Sequence, residues 1–250
     1  MSLTHRKTSE VVRQQFWFKL KSNVAVFTVL FALQILLSVL MTGPSSTSGM
    51  GSANLELNWS TYTNDGIITM TLFWSLAIGF LMTTSGQRNA SYLYVASPGI
   101  ENMANFLFFG AASVIAGVTA ILSGSIMKVI LLLTKKEQFV SDSANLLVSP
   151  VDFFTQLAAM ISYSFLLMIL VYTAMLFVQM NRLLILPIIL LVYLNTRITS
   201  FEFFGATGNI LSFFYGESSL WLFTIKVTAA VALLMVLSVI PSKRIEVRQA

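Results

Sequence analysis

The chain has 250 residues, of which 56% are hydrophobic and only 10% are charged, whereas soluble domains average about 45–50% and about 25%. Together with a mean hydropathy of +0.80, this composition excludes an ordinary water-soluble domain and predicts a polytopic membrane protein built from helices. The absence of Cys excludes disulfides and Cys-ligated metals, and the net charge of +5 is small enough to reflect membrane orientation rather than binding to nucleic acid.

Six apolar runs are predicted to cross the membrane, since a span needs roughly 20 mostly apolar residues. The first lacks a small-residue cleavage site at its end, so it is predicted to be an uncleaved signal anchor. The fold class is therefore predicted as all-α, with a membrane domain over 24–241, an interfacial or cytoplasmic segment over 1–23 and a cytoplasmic tail over 242–250. The predicted spans are 24–42, 66–85, 105–131, 154–179, 183–197 and 219–240.

The distribution of basic residues predicts the orientation. With both termini in the cytoplasm, ten Lys and Arg residues lie on the inner side and three lie outside. Because basic residues concentrate on the cytoplasmic side of membrane proteins, we expect a multi-pass protein of the cell membrane with both termini inside.

The polar segments differ in character along the chain. Residues 9–22 mix Val, Phe and Trp with Arg and Lys, which predicts a helix lying in the inner interface with its lysines toward lipid headgroups, or a simple basic anchor. Residues 43–65 are rich in Gly, Ser, Thr and Asn, and this predicts an irregular, mobile outer loop.

The segment 86–105 carries two Tyr residues and a Ser-Pro-Gly stop. This pattern predicts a short cytoplasmic helix at about 88–95 that presents aromatic and polar side chains to another protein. The candidate partner-binding residues are Arg88, Asn89, Tyr92, Tyr94, Ser97, Pro98 and Glu101.

The third predicted span carries small residues at helical spacing, which predicts close approach of another helix, either within the chain or between subunits. These residues are Ser113, Ala116, Gly117, Ala120 and Gly124.

Two lysines lie within apolar runs. Lys128 is close to the outer end of its span, where snorkelling explains it. Lys226 is roughly 10 Å deep at helical rise, so it needs a partner or a wet cavity. The nearest candidate partners are Glu202 and Glu217.

The fifth predicted span reaches only about 22 Å at helical rise. It is followed by an aromatic, glycine-containing segment at 198–219, which predicts two short helices that enter the outer leaflet and return. The aromatic residues singled out in this segment are Phe201, Phe203, Phe204, Phe213 and Phe214.

The usual chemical motifs are missing. No GxxxxGK[ST] sequence is present, and the single His is His5, in the N-terminal segment. This excludes P-loop nucleotide binding, HExxH zinc sites and a Ser–His arrangement within the membrane. The carboxylates fall in loops or at span ends, which disfavours a proton- or sodium-coupled carrier. We therefore expect no enzyme activity in the chain, and an ion gradient or another polypeptide must supply the energy for any transport.

The order of these segments resembles the six-span permease subunits of type 2 ABC exporters, over essentially the whole chain. That family has an interfacial helix, a coupling helix between spans two and three, and outer re-entrant helices, which here correspond to 9–22, about 87–102 and 198–219. The coupling segment, RNASYLYVASPGIENMANFLFF, is similar to that of Gram-positive exporters of amphipathic peptides, including phenol-soluble modulin exporters.

The resemblance implies a division of labour. A separate ABC ATPase subunit would bind ATP and Mg and push on contacts of the Arg88, Tyr92 and Tyr94 kind, and a second permease chain, identical or paralogous, would complete the route. The aromatic re-entrant segment would act as the outer gate for a hydrophobic or amphipathic substrate such as a peptide. The chain would also contact membrane lipid, and we expect it to hold no cofactor or metal of its own. A stand-alone small transporter and a membrane immunity or scaffold protein stay open as alternatives, ahead of an intramembrane enzyme.

Overall fold

A computed structural model describes residues 8–43, 46–52, 55–84, 86–87, 98–135, 149–181, 183, 185–186 and 220–247. Within these ranges the chain forms six helices and one β-hairpin. The helices are α1 (Thr8–Ser22), α2 (Val24–Leu40), α3 (Asp65–Leu81), α4 (Pro98–Lys135), α5 (Pro150–Met180) and α6 (Leu220–Val247), and the strands are β1 (Ser46–Ser52) and β2 (Leu55–Thr61).

Three helices are long and apolar enough to cross a membrane, over Gly99–Thr134, Pro150–Met180 and Trp221–Ser242. A fourth candidate arises if α1 and α2, which meet at a 48° bend, are counted as one broken span. The chain is thus a helical membrane protein, and its described residues hold three such spans, or up to four, by length and composition.

Of the other predicted spans, two are shorter helices and one lies largely outside the described residues. The first two correspond to α2 and α3, which have 17 residues each and so reach about 26 Å, short of the roughly 30 Å hydrocarbon core. The fifth, 183–197, falls almost entirely outside the described residues, as does the predicted re-entrant segment 198–219.

The loop 43–65 is not irregular as predicted, because it contains an antiparallel hairpin in which Ser46 pairs with Thr61 and Ser52 with Leu55. In β2 the apolar Leu55, Leu57 and Trp59 alternate with polar residues, which is the period of a strand. The alternation is confined to β2, and the many Gly and Ser residues elsewhere in 43–65 outweigh it in the composition of the loop. The described part of the fold is therefore helical apart from one hairpin.

The chain divides into two compact units, and α1, α3, α4 and α5 contribute residues to both. The first unit comprises Met1–Lys19, Leu76–Gly110 and Phe165–Ala250, and the second comprises Leu20–Ser75 and Ala111–Ser164.

The predicted stripe of small residues on α4 lies in the second unit and is buried throughout. A Cβ added at Gly117 would lie 2.7 Å from Cγ1 of Ile161 on α5. The prediction of close helix approach is confirmed, and at Gly117 the approach is made within the chain.

Candidate functional site

The buried face of α1 carries two polar side chains. Val12, Gln15 and Lys19 are the buried residues of this helix, and their spacing of three and four places them on one stripe. The expectation that Lys19 points toward lipid headgroups is wrong, since only 1% of the residue is exposed. Lys19 lies on the same stripe of α1 as Val12, and its ammonium group is paired with Asn105 and Glu101 of α4.

Those partners lie in the first two turns of α4. The Lys19 Nζ donates a hydrogen bond of 2.5 Å to Oδ1 of Asn105 and lies 3.7 Å from a carboxylate oxygen of Glu101. α1 lies before the first apolar helix, α2. Burial of the Lys19 ammonium lowers its pKa, and the nearby Glu101 carboxylate opposes that shift.

From Asn105 the hydrogen bonds continue across three helices. Asn105 Nδ2 donates to the Tyr172 hydroxyl at 2.9 Å, and that hydroxyl donates to Asn102 Oδ1 at 2.7 Å. Asn102 Nδ2 donates to Ser242 Oγ at 2.9 Å, and Ser242 donates to the carbonyl of Ser238 at 2.8 Å. Because Asn105, Tyr172, Asn102 and Ser242 each both accept and donate, neighbouring bonds polarise and strengthen one another.

We call the residues Lys19, Glu101, Asn102, Asn105, Tyr172 and Ser242 the polar network. All six belong to the first unit. They join α1, α4, α5 and α6, so the network ties four helices together at one place.

Aromatic rings enclose the centre of the network. The ring of Tyr172 lies edge-on to Phe109 at a centroid distance of 5.4 Å and to Phe106 at 6.1 Å. Phe109 is fully buried and Tyr172 is 3% exposed, which excludes bulk water and raises the cost of leaving any of these polar groups unpaired.

Gln15 lies one turn before Lys19 on the same face of α1. Its residue is 1% exposed, and neither its amide nitrogen nor its amide oxygen has a hydrogen-bond partner in the part of the chain that the structure describes. Beside the network, the buried face of α1 therefore carries an amide group with no hydrogen-bond partner among the described residues.

The structure places few of the predicted site residues in the described ranges. Pro98 and Glu101 lie in the first turn of α4, where Glu101 faces Lys19 of the same chain. Lys128 and Lys226 are half-buried, and neither is without a partner. Arg88, Asn89, Tyr92, Tyr94, Ser97, Phe201, Phe203, Phe204, Phe213, Phe214, Glu202 and Glu217 lie outside the described residues.

Sequence reasoning missed the roles of Asn102, Asn105, Tyr172 and Ser242. Two Asn residues three apart at the start of a long apolar run share one helix face, and this spacing was the available signal. Their partners on other helices carry no comparable local pattern.

Within the described ranges, no three His, Cys, Asp or Glu side chains come together as a metal site would require. Comparisons with protein-family models, with curated proteins and with solved structures returned no significant match.

Proposed function

We propose that this chain is the membrane-spanning permease subunit of an ATP-driven type 2 ABC exporter, which forms the route for a hydrophobic or amphipathic substrate such as a peptide. In this proposal it crosses the membrane six times with both termini in the cytoplasm. It works with a separate ABC ATPase and a second permease chain, and lipid surrounds it.

The observation that carries the proposal is the attachment of both ends of the segment between α3 and α4. Glu101 and Asn102 close the proposed coupling segment 87–102, and their side chains contact α1, α5 and α6 through the polar network. Just before the segment, the Thr83 carbonyl accepts a 2.8 Å hydrogen bond from Nε2 of Gln179 on α5.

This arrangement suits a segment that receives force. A motor that pushes on 87–102 can move the membrane helices only if the segment is joined to them by contacts that do not slip. Buried hydrogen bonds meet that requirement because breaking one leaves polar groups unpaired in a dry environment, at a cost of about 1–3 kcal/mol each.

The surface of α2 supports the membrane setting of the proposal. Large apolar residues on this helix, including Val29, Ile35, Leu36 and Val39, are more than half exposed. Contiguous apolar surface of this kind needs lipid or another apolar protein surface to cover it, which agrees with a permease that meets lipid and a second chain.

Co-purification and ATP turnover test the proposal. The tagged chain, extracted from native membranes into nanodiscs, should carry a P-loop ATPase identified by mass spectrometry. Replacing Tyr92→Ala and Tyr94→Ala together should abolish this association without changing the thermal unfolding of the chain. Trp221→Ala is the matched control, since this aromatic side chain is 80% exposed at the start of α6 and lies far along the sequence from the coupling segment.

Two results would contradict the permease assignment. Gradient-driven uptake into vesicles without nucleotide would indicate a stand-alone transporter. A chain that co-purifies with no ATPase and moves no solute under either condition would indicate a scaffold or immunity protein.

A further inference from the structure

The hairpin β1–β2 has open edges. In the part of the chain that the structure describes, its ladder joins β1 only to β2, so each strand has one row of backbone donors and acceptors that no other strand covers. A lone two-stranded hairpin is marginally stable in water, and an open edge is a template for another strand. Neither strand contains Pro or Lys, which proteins commonly use to block such edges, and Glu56 is the one charged residue in the two strands.

The base of the hairpin is fixed within the second unit. A Cβ at Gly66, near the start of α3, would overlap the thioether of Met41 at the end of α2. Asn64 Nδ2 donates to the Ala120 carbonyl on α4 at 3.4 Å, and Gly124 leaves the space that Asn64 occupies. Because the stem is held in place, strand pairing would order little additional chain, which lowers the entropic cost of association.

We propose that β2 pairs with β2 of a second copy of this chain, antiparallel and centred on Asn58. β2 is better suited to this role than β1, because it contains Leu55, Leu57, Trp59 and Thr61, whereas five of the seven residues of β1 are Gly or Ser. Bulky aliphatic, aromatic and β-branched residues favour strands, and Gly is depleted in them.

The sequence of β2 is complementary to itself in this register. Asn58 is the middle residue of the strand, so a twofold axis there pairs all seven residues. It places Leu57 opposite Trp59 of the second copy, Leu55 opposite Thr61, and Glu56 opposite Ser60. Cross-strand aromatic and aliphatic pairs stabilise a ladder, and like charges directly opposite destabilise it. The only charged residue of the strand therefore never meets itself, whereas an axis at Glu56 would bring the two carboxylates together.

This inference concerns the surface through which two copies meet, and it holds whatever the chain transports. Disulfide trapping tests it, because the natural chain has no Cys. In Asn58→Cys the two sulfur-bearing residues would face each other across the axis, with Cα atoms about 4.5–5.5 Å apart, within the disulfide range of about 4.4–6.8 Å. Mild oxidation of native membranes should shift the 27.6 kDa band to twice that mass.

The matched control is Thr61→Cys. This position lies three residues from the axis, so the two thiols of a dimer would be about 20 Å apart at strand rise and should not cross-link. Co-expression of Glu56→Cys and Ser60→Cys copies with different tags should yield the mixed dimer, because this register places the two positions opposite each other. That pair also serves as the test if Asn58→Cys fails to fold.

Three outcomes would overturn the proposal. A folded Asn58→Cys chain that stays monomeric under oxidation would exclude pairing at this axis. Equal cross-linking of Thr61→Cys would show contact by collision or in another register. A cross-linked band containing a different protein would show that the open edge serves another partner. None of these readouts involves an ATPase, so failure here is separate from failure of the permease proposal.

Discussion

Tyr172 is the residue through which the polar network passes between α4 and α5, because its hydroxyl accepts a hydrogen bond from Asn105 and donates one to Asn102. We predict that Tyr172→Phe destabilises the protein by about 1–3 kcal/mol, the cost of leaving buried polar groups unpaired. The ring would keep its packing against Phe106 and Phe109. Thermal unfolding in nanodiscs should then shift downward by several degrees, since about 2–4 °C corresponds to 1 kcal/mol for a chain of this size.

Thr155→Val provides the control for Tyr172 on the same helix. Among the described residues, its hydroxyl donates only to the Val151 carbonyl one turn before, and the side chain is exposed. We expect the control to change stability by no more than about 0.5 kcal/mol. An equal shift in the two variants would mean that the Tyr172 hydroxyl has no special role.

Lys19 is a buried cation, and its removal takes an ion-pair partner from Glu101 and a hydrogen-bond donor from the side-chain oxygen of Asn105. Breaking a fully buried ion pair from one side costs about 3–5 kcal/mol, and the loss here should be smaller because the Glu101 side chain is 18% exposed. We therefore predict that Lys19→Met lowers the unfolding temperature by several degrees. Combining it with Glu101→Gln should recover part of the loss, because no uncompensated charge then remains.

Lys21→Met is the control for the charge itself. Lys21 lies two residues away on α1 and is exposed, so its replacement should leave the unfolding temperature nearly unchanged. If Lys19→Met and Lys21→Met behaved alike, or if the double variant were simply additive, the two charges of the network would not be coupled.

At the scale of the helices, α4 packs closely on α5 at Gly117, which has no side chain. A Cβ at Gly117 would lie 2.7 Å from Cγ1 of Ile161 and 3.4 Å from its backbone nitrogen, so the Ile161 side chain or one of the two helices would have to shift. We predict that Gly117→Ala costs about 1–3 kcal/mol despite the better helix propensity of Ala. Thermal unfolding of the purified chain measures this cost.

Gly110, two turns earlier on α4, gives the opposite expectation. The nearest atom to a Cβ there is 4.0 Å away, on Phe165, which is ordinary contact. Gly110→Ala should be neutral or slightly stabilising, because Ala favours the helix by about 1 kcal/mol over Gly. Ile161→Ala removes the Cγ1 atom that the new Cβ would meet, so the double variant with Gly117→Ala should lose less stability than the two single variants added together. A Gly117→Ala chain as stable as the natural one would show that the helices do not touch at this point.

Local pattern predicted the helices better than the contacts between them. The apolar runs at 105–131, 154–179 and 219–240 correspond to α4, α5 and α6 with modest errors at the ends. Pro98, interpreted as a stop, is instead the first residue of α4, a position where its fixed backbone angle and missing donor cost nothing. The hairpin was missed because the average composition of 43–65 hid the alternation confined to β2.

The polar network, as a set of contacts, has no counterpart in the local sequence pattern. Its contacts join residues 86, 67, 70 and 140 positions apart in sequence, and periodicity within one helix carries no information about partners that distant. The sequence predicts Glu101 as a residue that binds a partner protein, and it does not show that Lys19 of the same chain lies 3.7 Å from the Glu101 carboxylate. The burial of Lys19 depends on those same distant residues.

For the whole molecule, the distribution of charge predicts sidedness. The segments before the first span, between spans two and three, between spans four and five, and after the sixth hold ten of the 15 Lys and Arg residues. Moving basic segments across the membrane is disfavoured, so these segments should share the cytoplasmic side. Because an even number of spans returns the chain to its starting side, the prediction of six spans and the prediction of two inner termini are tested together.

Thiol labelling in intact cells tests this arrangement on a chain that has no Cys of its own. A membrane-impermeant maleimide should label Thr63→Cys, an exposed position between β2 and α3, without permeabilisation. It should label Ser2→Cys and Gln249→Cys only after the membrane is opened. Labelling of Gln249→Cys but not Ser2→Cys in intact cells would mean an odd number of spans. Labelling of both termini with protection of Thr63→Cys would mean that the whole chain is inverted, and the segment 87–102 would then be out of reach of any cytoplasmic ATPase.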